Sequence, residues 1–186
     1  MMKILLTGAN GLVGSACQKY AKNYNYDLSI VSRKKPLFSG IKSYKSLKHI
    51  STKEFKCDLL IHCSAATPNN SNFESIPKIN SFIDEELCDF INKASVKKIV
   101  YLSTMAVYGD INVEILNEKT EINAPNLYGY SKFLGENNVK ESCKNNDVSL
   151  AIIRLPGVVG KNMPRIFFRR LYESILNDIE ITIKSR

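Results

Sequence analysis

The sequence lacks any apolar run of membrane-spanning length and any pattern typical of an N-terminal leader. Its first apolar run, ILL over residues 4–6, passes directly into TGANG, so we expect no signal peptide. Five cysteines stand at positions 17, 57, 63, 88 and 143, and no two have the C-x-x-C spacing of zinc and redox motifs. These absences predict a cytoplasmic protein in a reducing compartment, with no disulfide, no metal site and no membrane contact.

Basic residues outnumber acidic ones but are not gathered into one long run. The 26 Lys and Arg residues outnumber the 18 Asp and Glu residues, which gives a formal net charge of +8, but the basic residues are scattered through predicted helices and loops. We therefore expect no nucleic-acid surface, whereas phosphorylated anions remain suitable ligands. With 186 residues, of which 44% are apolar, the chain is long enough for one well-packed domain or slightly more.

Short apolar runs alternate with segments of helical periodicity. The patterns predict strands over 3–8, 27–32, 57–65, 97–104 and 148–155, and helices over 11–24, 76–95 and 127–146. Several of the strands are apolar on both faces, which is typical of buried parallel strands. The fold class predicted is therefore α/β, a doubly wound Rossmann-type parallel sheet with helices on both faces.

A glycine-rich turn connects the first predicted strand to the first predicted helix. In TGANGLVG (7–14), Gly8, Gly11 and Gly14 have G-x-x-G-x-x-G spacing. Glycines allow a sharp turn and a close approach of phosphates, and a helix N-terminus offers free N–H groups and a partial positive charge. The position between strand and helix favours dinucleotide binding over a merely structural turn.

The end of the second predicted strand lacks an acidic residue. A carboxylate at this place commonly holds the ribose hydroxyls of NAD, whereas an Arg nearby accommodates the 2′-phosphate of NADP. Here the segment reads Ser32-Arg33-Lys34-Lys35. Arg33 can bind a phosphate bidentately, so we expect NADP, with NAD less favoured. A solvated basic loop is the alternative interpretation.

The segment NLYGYSK (126–132) places two tyrosines before one lysine. In a helix each residue advances about 100°, so Tyr128 and Lys132, four apart, share one face, and Tyr130 points away. A phenol and an ammonium side by side suit proton transfer. From the segment alone, an ordinary solvated helix face is the favoured interpretation.

Five segments occur in order along the chain: TGANGLVG (7–14), DLLIHCSAA (58–66), YLSTMAVYG (101–109), LYGYSK (127–132) and IIRLPGVVG (152–160). Together they resemble the extended short-chain dehydrogenase/reductase family of NAD(P)-dependent sugar-nucleotide epimerases, dehydratases and reductases. The resemblance extends from residue 3 to about residue 183. Cofactor contacts are expected at Gly8, Asn10, Gly11, Leu12, Val13, Gly14, Ser32, Arg33, Cys63, Ser64, Ala65, Asn80, Leu102, Tyr128, Lys132, Pro156 and Val158.

The resemblance places the family's catalytic tyrosine and lysine at Tyr128 and Lys132, and its catalytic hydroxyl at Thr104. A free phenol has a pKa near 10. An ammonium about 4 Å away, at an effective dielectric constant of about 20, is worth about 4 kcal/mol, or about three pKa units. We therefore expect Lys132 to lower the pKa of Tyr128 and to bind the nicotinamide ribose. Tyr128 would exchange a proton with a sugar oxygen to which Thr104 is hydrogen-bonded. The alternative role for Thr104 is a cap at the end of a strand. The alternative for Asn80 is an ordinary position on a helix surface.

The sequence also departs from the family's patterns. Met105 and Ala106 stand where dehydratases carry an acidic pair, and neither can protonate a leaving hydroxyl, which argues against 4,6-dehydration. Gly157 stands where many epimerases have a substrate-contacting Asn. Family members usually continue into a C-terminal substrate domain. We therefore expect a dinucleotide-binding domain over 1–160 and the start of a truncated substrate lobe over 161–186.

These observations predict an NAD(P)-dependent enzyme that acts on a nucleotide-activated sugar by ketoreduction or epimerisation. The expected partner is this small molecule, with a homodimer left open. The alternative function is an NADP(H)-binding protein without catalysis, such as a redox-sensing regulator or a structural subunit. The intact Tyr128, Lys132 and Thr104 argue for the enzyme, and the missing substrate domain argues for the alternative.

Overall fold

The computed structural model describes residues 1–160 and 167–180, and in the second range side chains from residue 171 onward. The strands are Lys3–Thr7 (β1), Asp27–Val31 (β2), Lys42–Tyr44 (β3), Lys56–His62 (β4), Ser95–Thr104 (β5) and Ser149–Leu155 (β6). The α-helices are Leu12–Asn23 (α1), Ile76–Ile91 (α2), Leu127–Asn145 (α3) and Phe167–Leu176 (α4). Short 3₁₀ helices cover Leu47–His49, Phe73–Ser75 and Met105–Tyr108. The backbone divides into two compact units, Met1–Pro156 and Gly157–Arg186.

The six strands form one parallel sheet in the order β3-β2-β1-β4-β5-β6. In its centre Ile4 of β1 pairs with Leu28 of β2 on one side and with Leu59 of β4 on the other. The strand order reverses at β1, where the chain turns from one half of the sheet to the other. The predicted doubly wound Rossmann-type fold is confirmed.

Apolar side chains cover both faces of the sheet, since successive residues of a strand point to opposite faces. In β1, Leu5 packs in one core with Leu87 of α2 and Val139 of α3. Its neighbour Leu6 packs in a second core with Ala21 of α1. The helices therefore lie on both faces, and the carboxyl ends of β1, β4 and β5 are neighbours at one edge of the sheet.

The strand β3 was not predicted from the sequence. It comprises the three residues KSY at the edge of the sheet, without an apolar run that would indicate a strand. Its pairing with β2 comes from the backbone and needs no apolar side chains. Within the described ranges, no helix combines the length and apolar character required to cross a membrane.

Candidate functional site

The glycine turn between β1 and α1 has the close-packed geometry that a phosphate-binding turn requires. Gly8 has φ +62°, and a Cβ there would come within 2.6 Å of the backbone of Cys63. A Cβ on Gly14 would overlap the carbonyl of Gly8, so only glycine lets α1 pack this closely on the turn. Gly11 is exposed at the N-cap of α1, the end of the helix whose first N–H groups have no partner within the helix. This cradle fits the pyrophosphate of a dinucleotide.

Gln18 holds this turn in place, although the sequence interpretation did not single it out. Its fully buried side chain donates from Nε2 to the carbonyl of Ala9 at 2.7 Å and to Asn10 Oδ1 at 3.2 Å. Its Oε1 accepts from the N–H of Leu37 at 3.1 Å, and Asn10 Nδ2 donates to the carbonyl of Lys35 at 3.0 Å. The glycine turn and the loop after β2 are thus fixed to each other. A polar residue on the buried face of α1 was the available signal.

The remaining predicted residues near this turn lie at the start of α1 or directly after strands β2 and β4. Leu12 and Val13 begin α1 and are partly buried. Ser32 follows β2 and accepts a hydrogen bond from the N–H of Lys34 at 3.0 Å, which shapes the turn that leaves Arg33 exposed. The other predicted residues here, Cys63, Ser64 and Ala65, directly follow β4 and are partly buried.

Asn80 is buried within the first unit, so its alternative placement on a helix surface is wrong. Its Oδ1 accepts from the N–H of Ala66 at 2.7 Å, and its Nδ2 donates to the Ala66 carbonyl at 3.2 Å and to Ser131 Oγ at 2.9 Å. Ser131 in turn donates to the carbonyl of Tyr128 at 2.8 Å. Asn80 therefore joins the loop after β4 to α3, and its direct contact with the cofactor stays a prediction.

Thr104 and Tyr128 come together where β5 ends and α3 begins. Thr104 Oγ1 accepts from the N–H of Ala106 at 3.2 Å, so its own hydroxyl hydrogen stays available for the neighbouring Tyr128 phenol, whose pKa the Thr104 hydroxyl lowers. A Cβ on Gly129 would overlap the Ala106 carbonyl, which explains how α3 approaches so closely. Asn126 caps α3 by accepting from the N–H of Gly129 at 2.9 Å. The capping role and the hydroxyl pairing of Thr104 thus coexist.

The prediction that Lys132 lowers the pKa of Tyr128 is wrong. Burial raises the pKa of Tyr128, and the hydrogen bond from Thr104 partly offsets that shift. The ammonium of Lys132 instead donates to the hydroxyl of Tyr101 at 2.6 Å and lies 4.0 Å from the centre of that ring. A spacing of four puts two residues on one helix face but does not fix where a four-carbon side chain ends. Tyr130, by contrast, is exposed as the spacing predicted.

An ion pair fixes α3 against β6. Glu136 is fully buried and accepts from Arg154 Nε at 3.0 Å and from Nη2 at 2.7 Å. The Arg154 guanidinium also lies 4.7 Å from the centre of the Tyr108 ring. Of the predicted residues farther along, Leu102 is partly buried in β5, Pro156 ends the first compact unit, and Val158 belongs to the second.

The sequence matches the NAD dependent epimerase/dehydratase family over residues 4–185. It is 29% identical over 218 residues to a dTDP-D-glucose 4,6-dehydratase of Dictyostelium discoideum, covering 98% of this chain and 50% of the relative. It is 30% identical over 176 residues to a putative UDP-glucose 4-epimerase of Methanocaldococcus jannaschii, covering 85% and 56% respectively. The chain thus spans about half the length of these relatives.

The fold also matches solved structures. A UDP-glucuronic acid 4-epimerase variant from Bacillus cereus, in complex with a UDP-sugar and NAD, superposes with a TM-score of 0.81 at 24% identity. The match covers 98% of this chain and 65% of that one. Such a likeness at this identity confirms the fold. The family match over nearly the whole sequence goes further: the chain belongs to the NAD dependent epimerase/dehydratase family.

Proposed function

We propose that the protein is an NAD(P)-dependent oxidoreductase or epimerase that acts on a nucleotide-activated sugar by ketoreduction or epimerisation. The observation that carries this proposal is the Thr104–Tyr128 hydroxyl pair at the carboxyl end of β5. The glycine cradle after β1 lies at the same edge of the sheet, two strands away, or about 10 Å at the usual strand spacing. Ligands of open parallel sheets bind at this edge.

Tyr128 is the proposed proton-transfer group. Because burial raises its pKa, the phenol is protonated at neutral pH and can donate a proton to a keto oxygen. Epimerisation also needs the reverse transfer, in which the phenolate accepts the proton of a sugar hydroxyl. We propose that Thr104 hydrogen-bonds the same oxygen, and its effect on the pKa of Tyr128 supports this. The cofactor, when bound, supplies or accepts the hydride.

Lys132 keeps a different role in the proposal. Among the contacts described, one of its three N–H groups donates to Tyr101, and binding of the ribose hydroxyls by the other two is proposed from the family resemblance, because the side chain is only 1% exposed. The glycine cradle would hold the pyrophosphate, and the loop fixed by Asn80 would border it. These residues position a dinucleotide without supplying the proton themselves.

The reaction class follows from what is missing beside Thr104. Met105 and Ala106 begin the 3₁₀ helix Met105–Tyr108 and carry no acid that could protonate a leaving hydroxyl. We therefore propose ketoreduction or epimerisation rather than 4,6-dehydration, although one similar protein is named as a dehydratase.

NADP is the proposed cofactor, with NAD as the competing outcome. Arg33 is exposed directly after the end of β2, and the adjoining positions carry Ser32, Lys34 and Lys35 rather than a carboxylate. A 2′-phosphate there would be attracted and bound bidentately. Titration of both cofactors into the wild-type chain and into Arg33→Ala decides the matter. Equal affinities that the substitution leaves unchanged would refute the NADP preference.

Turnover with a panel of nucleotide sugars tests the activity itself. Reduction or oxidation is followed at the nicotinamide absorbance, and epimerisation is followed by separation of the product sugars, because an epimerase returns the cofactor to its starting state. Cofactor binding without turnover of any sugar would favour the alternative, an NADP(H)-binding protein such as a redox-sensing regulator or structural subunit.

Three further parts of the proposal concern the whole protein. We propose a cytoplasmic location, leave a homodimer open, and propose a substrate lobe that begins after residue 160. Fractionation of the source cells measures the location, and sedimentation at several concentrations measures the oligomeric state. A longer form of the chain with higher turnover would support the substrate lobe.

A further inference from the structure

The amine of Lys132 is almost completely enclosed within the first unit. The side chain is only 1% exposed, and its ammonium lies over the Tyr101 ring. Burial lowers the pKa of Lys132, because the charged form loses its hydration. An ammonium in such a place stays charged only when an anion nearby compensates for that loss.

Two carboxylates lie near this ammonium, and one is already paired. Glu136 is bound by the two N–H groups of Arg154 at 2.7 and 3.0 Å. The charges of that pair cancel locally, so Glu136 is poorly placed to serve Lys132 as well. The other carboxylate, Asp84, has no Lys or Arg bound directly to it among the described residues.

Asp84 reaches Lys132 through a single bridging hydroxyl. The Tyr101 hydroxyl donates to Asp84 Oδ1 at 3.0 Å and Oδ2 at 3.1 Å, and it accepts from Lys132 Nζ at 2.6 Å. Asp84 is 2% exposed, so bulk solvent screens its charge only weakly from the amine. The three groups come from α2, β5 and α3, so the arrangement depends on the assembled fold.

A glycine makes room for this bridge. A Cβ on Gly135 of α3 would overlap both the Asp84 carboxylate and the Tyr101 hydroxyl. Any other residue there would push the carboxylate and the hydroxyl apart. The close packing of α2 on α3 at this point therefore keeps the bridge intact.

We propose that Asp84 is the buried counterion of Lys132 and acts through the Tyr101 hydroxyl to hold the amine charged and in position. Asp84 is a positioning residue, since it contacts Tyr101 rather than the expected ligands. The part of this inference that concerns cofactor binding rests on the proposed function, whereas the pairing itself does not.

The groups that face the ammonium from each neighbouring element agree with this assignment. Asp84 and Glu136 raise the pKa of Lys132 after burial has lowered it, and Cys63, beyond β4, contributes in the same direction. Burial raises the pKa of Asp84, and the charge of Lys132 opposes that shift. His62 of β4 stacks on Tyr101, and burial lowers its pKa to about 3, so it is neutral.

The pKa of Lys132 in the cofactor-free chain tests the pairing without any need for turnover. In protein labelled with ¹³C at lysine Cε, the signal lost in Lys132→Arg identifies Lys132, and its shift is followed against pH. We expect Asp84→Asn to lower the pKa of Lys132 by about one pH unit or more, because the amine loses its counterion. The matched control is Asp89→Asn, which removes an exposed carboxylate from the same helix and should leave that pKa unchanged.

An unchanged pKa of Lys132 in folded Asp84→Asn would overturn the proposal. If Asp84→Asn does not fold, the double variant Asp84→Asn/Lys132→Met should fold, because neither charge is left alone. A double variant that folds no better than Asp84→Asn would also overturn it. Failure of the sugar panel leaves these results untouched, so the pairing and the proposed function fail separately.

Discussion

Replacement of Arg154 by methionine should destabilise the fold strongly. Glu136 is 0% exposed and receives two hydrogen bonds from the guanidinium, at 2.7 and 3.0 Å. The same guanidinium lies over the Tyr108 ring. In Arg154→Met the carboxylate would remain buried without a partner, and the aliphatic stem alone would be retained.

The expected loss follows from the burial of the pair. Removal of one partner from a buried ion pair costs about 3–5 kcal/mol, a large part of the about 5–15 kcal/mol that stabilises a typical domain. The matched control is Lys97→Met. Lys97 and Asp58 also lie 2.7 Å apart, but the lysine side chain is 74% exposed, so that pair should contribute little.

Urea unfolding followed by circular dichroism measures both losses. The reasoning predicts a much lower midpoint for Arg154→Met and almost none of that shift for Lys97→Met. Adding Glu136→Met to Arg154→Met should recover part of the loss, because the unpaired charge is then gone. If Arg154→Met costs no more than Lys97→Met, the buried pair does not stabilise the fold as argued.

Three other predictions follow from the same structure. Between pH 6.5 and 5 the unfolded chain binds a proton at His62 and the folded chain, with a pKa of about 3 there, does not. The free energy of unfolding should therefore fall with acidification by up to about 1.4 kcal/mol per pH unit. Urea titrations of His62→Gln should lack that part of the pH dependence. An unchanged pH dependence in His62→Gln would refute the prediction. A hydrogen bond from Cys63 lowers the pKa of Cys17 to about 7, whereas burial raises the pKa of Cys57 to about 12. Iodoacetamide should therefore label Cys17 much faster than Cys57, as followed by peptide mapping. Equal labelling rates would contradict this prediction. Gly14→Ala should weaken dinucleotide binding and cost about 1–3 kcal/mol, since its Cβ overlaps the turn; calorimetry showing wild-type affinity and unchanged stability would count against the cradle.

Local patterns in the sequence were sufficient for five of the six strands and for the position of the glycine turn at the carboxyl edge of the sheet. The apolar runs and the glycine spacing predicted the parallel strands and the cradle, because both depend on neighbouring residues. The exposure of Tyr130 followed from helix geometry alone. The edge strand β3 was not predicted, because it pairs through its backbone and carries no apolar pattern.

The electrostatics of the site could not be predicted in this way. Lys132 meets Tyr101, which is 31 residues away, and Tyr101 meets Asp84, which is 17 residues away. These contacts depend on how α2 and α3 pack on β5. A spacing rule within one helix therefore led to the wrong partner for Lys132. Gln18 was missed for a related reason, since its partners lie in two separate loops.

The comparison of Tyr128→Phe with Tyr130→Phe tests the central claim most directly. Each substitution removes one oxygen and keeps the ring, and of these two tyrosines Tyr128 is the one whose pKa the Thr104 hydroxyl lowers. With a sugar nucleotide that the wild-type chain turns over, Tyr128→Phe should lower kcat by about 10²–10⁴ while leaving dinucleotide affinity intact, and Tyr130→Phe should change neither. Near-normal kcat in Tyr128→Phe, or a larger loss in Tyr130→Phe, would contradict the assignment of the proton-transfer group.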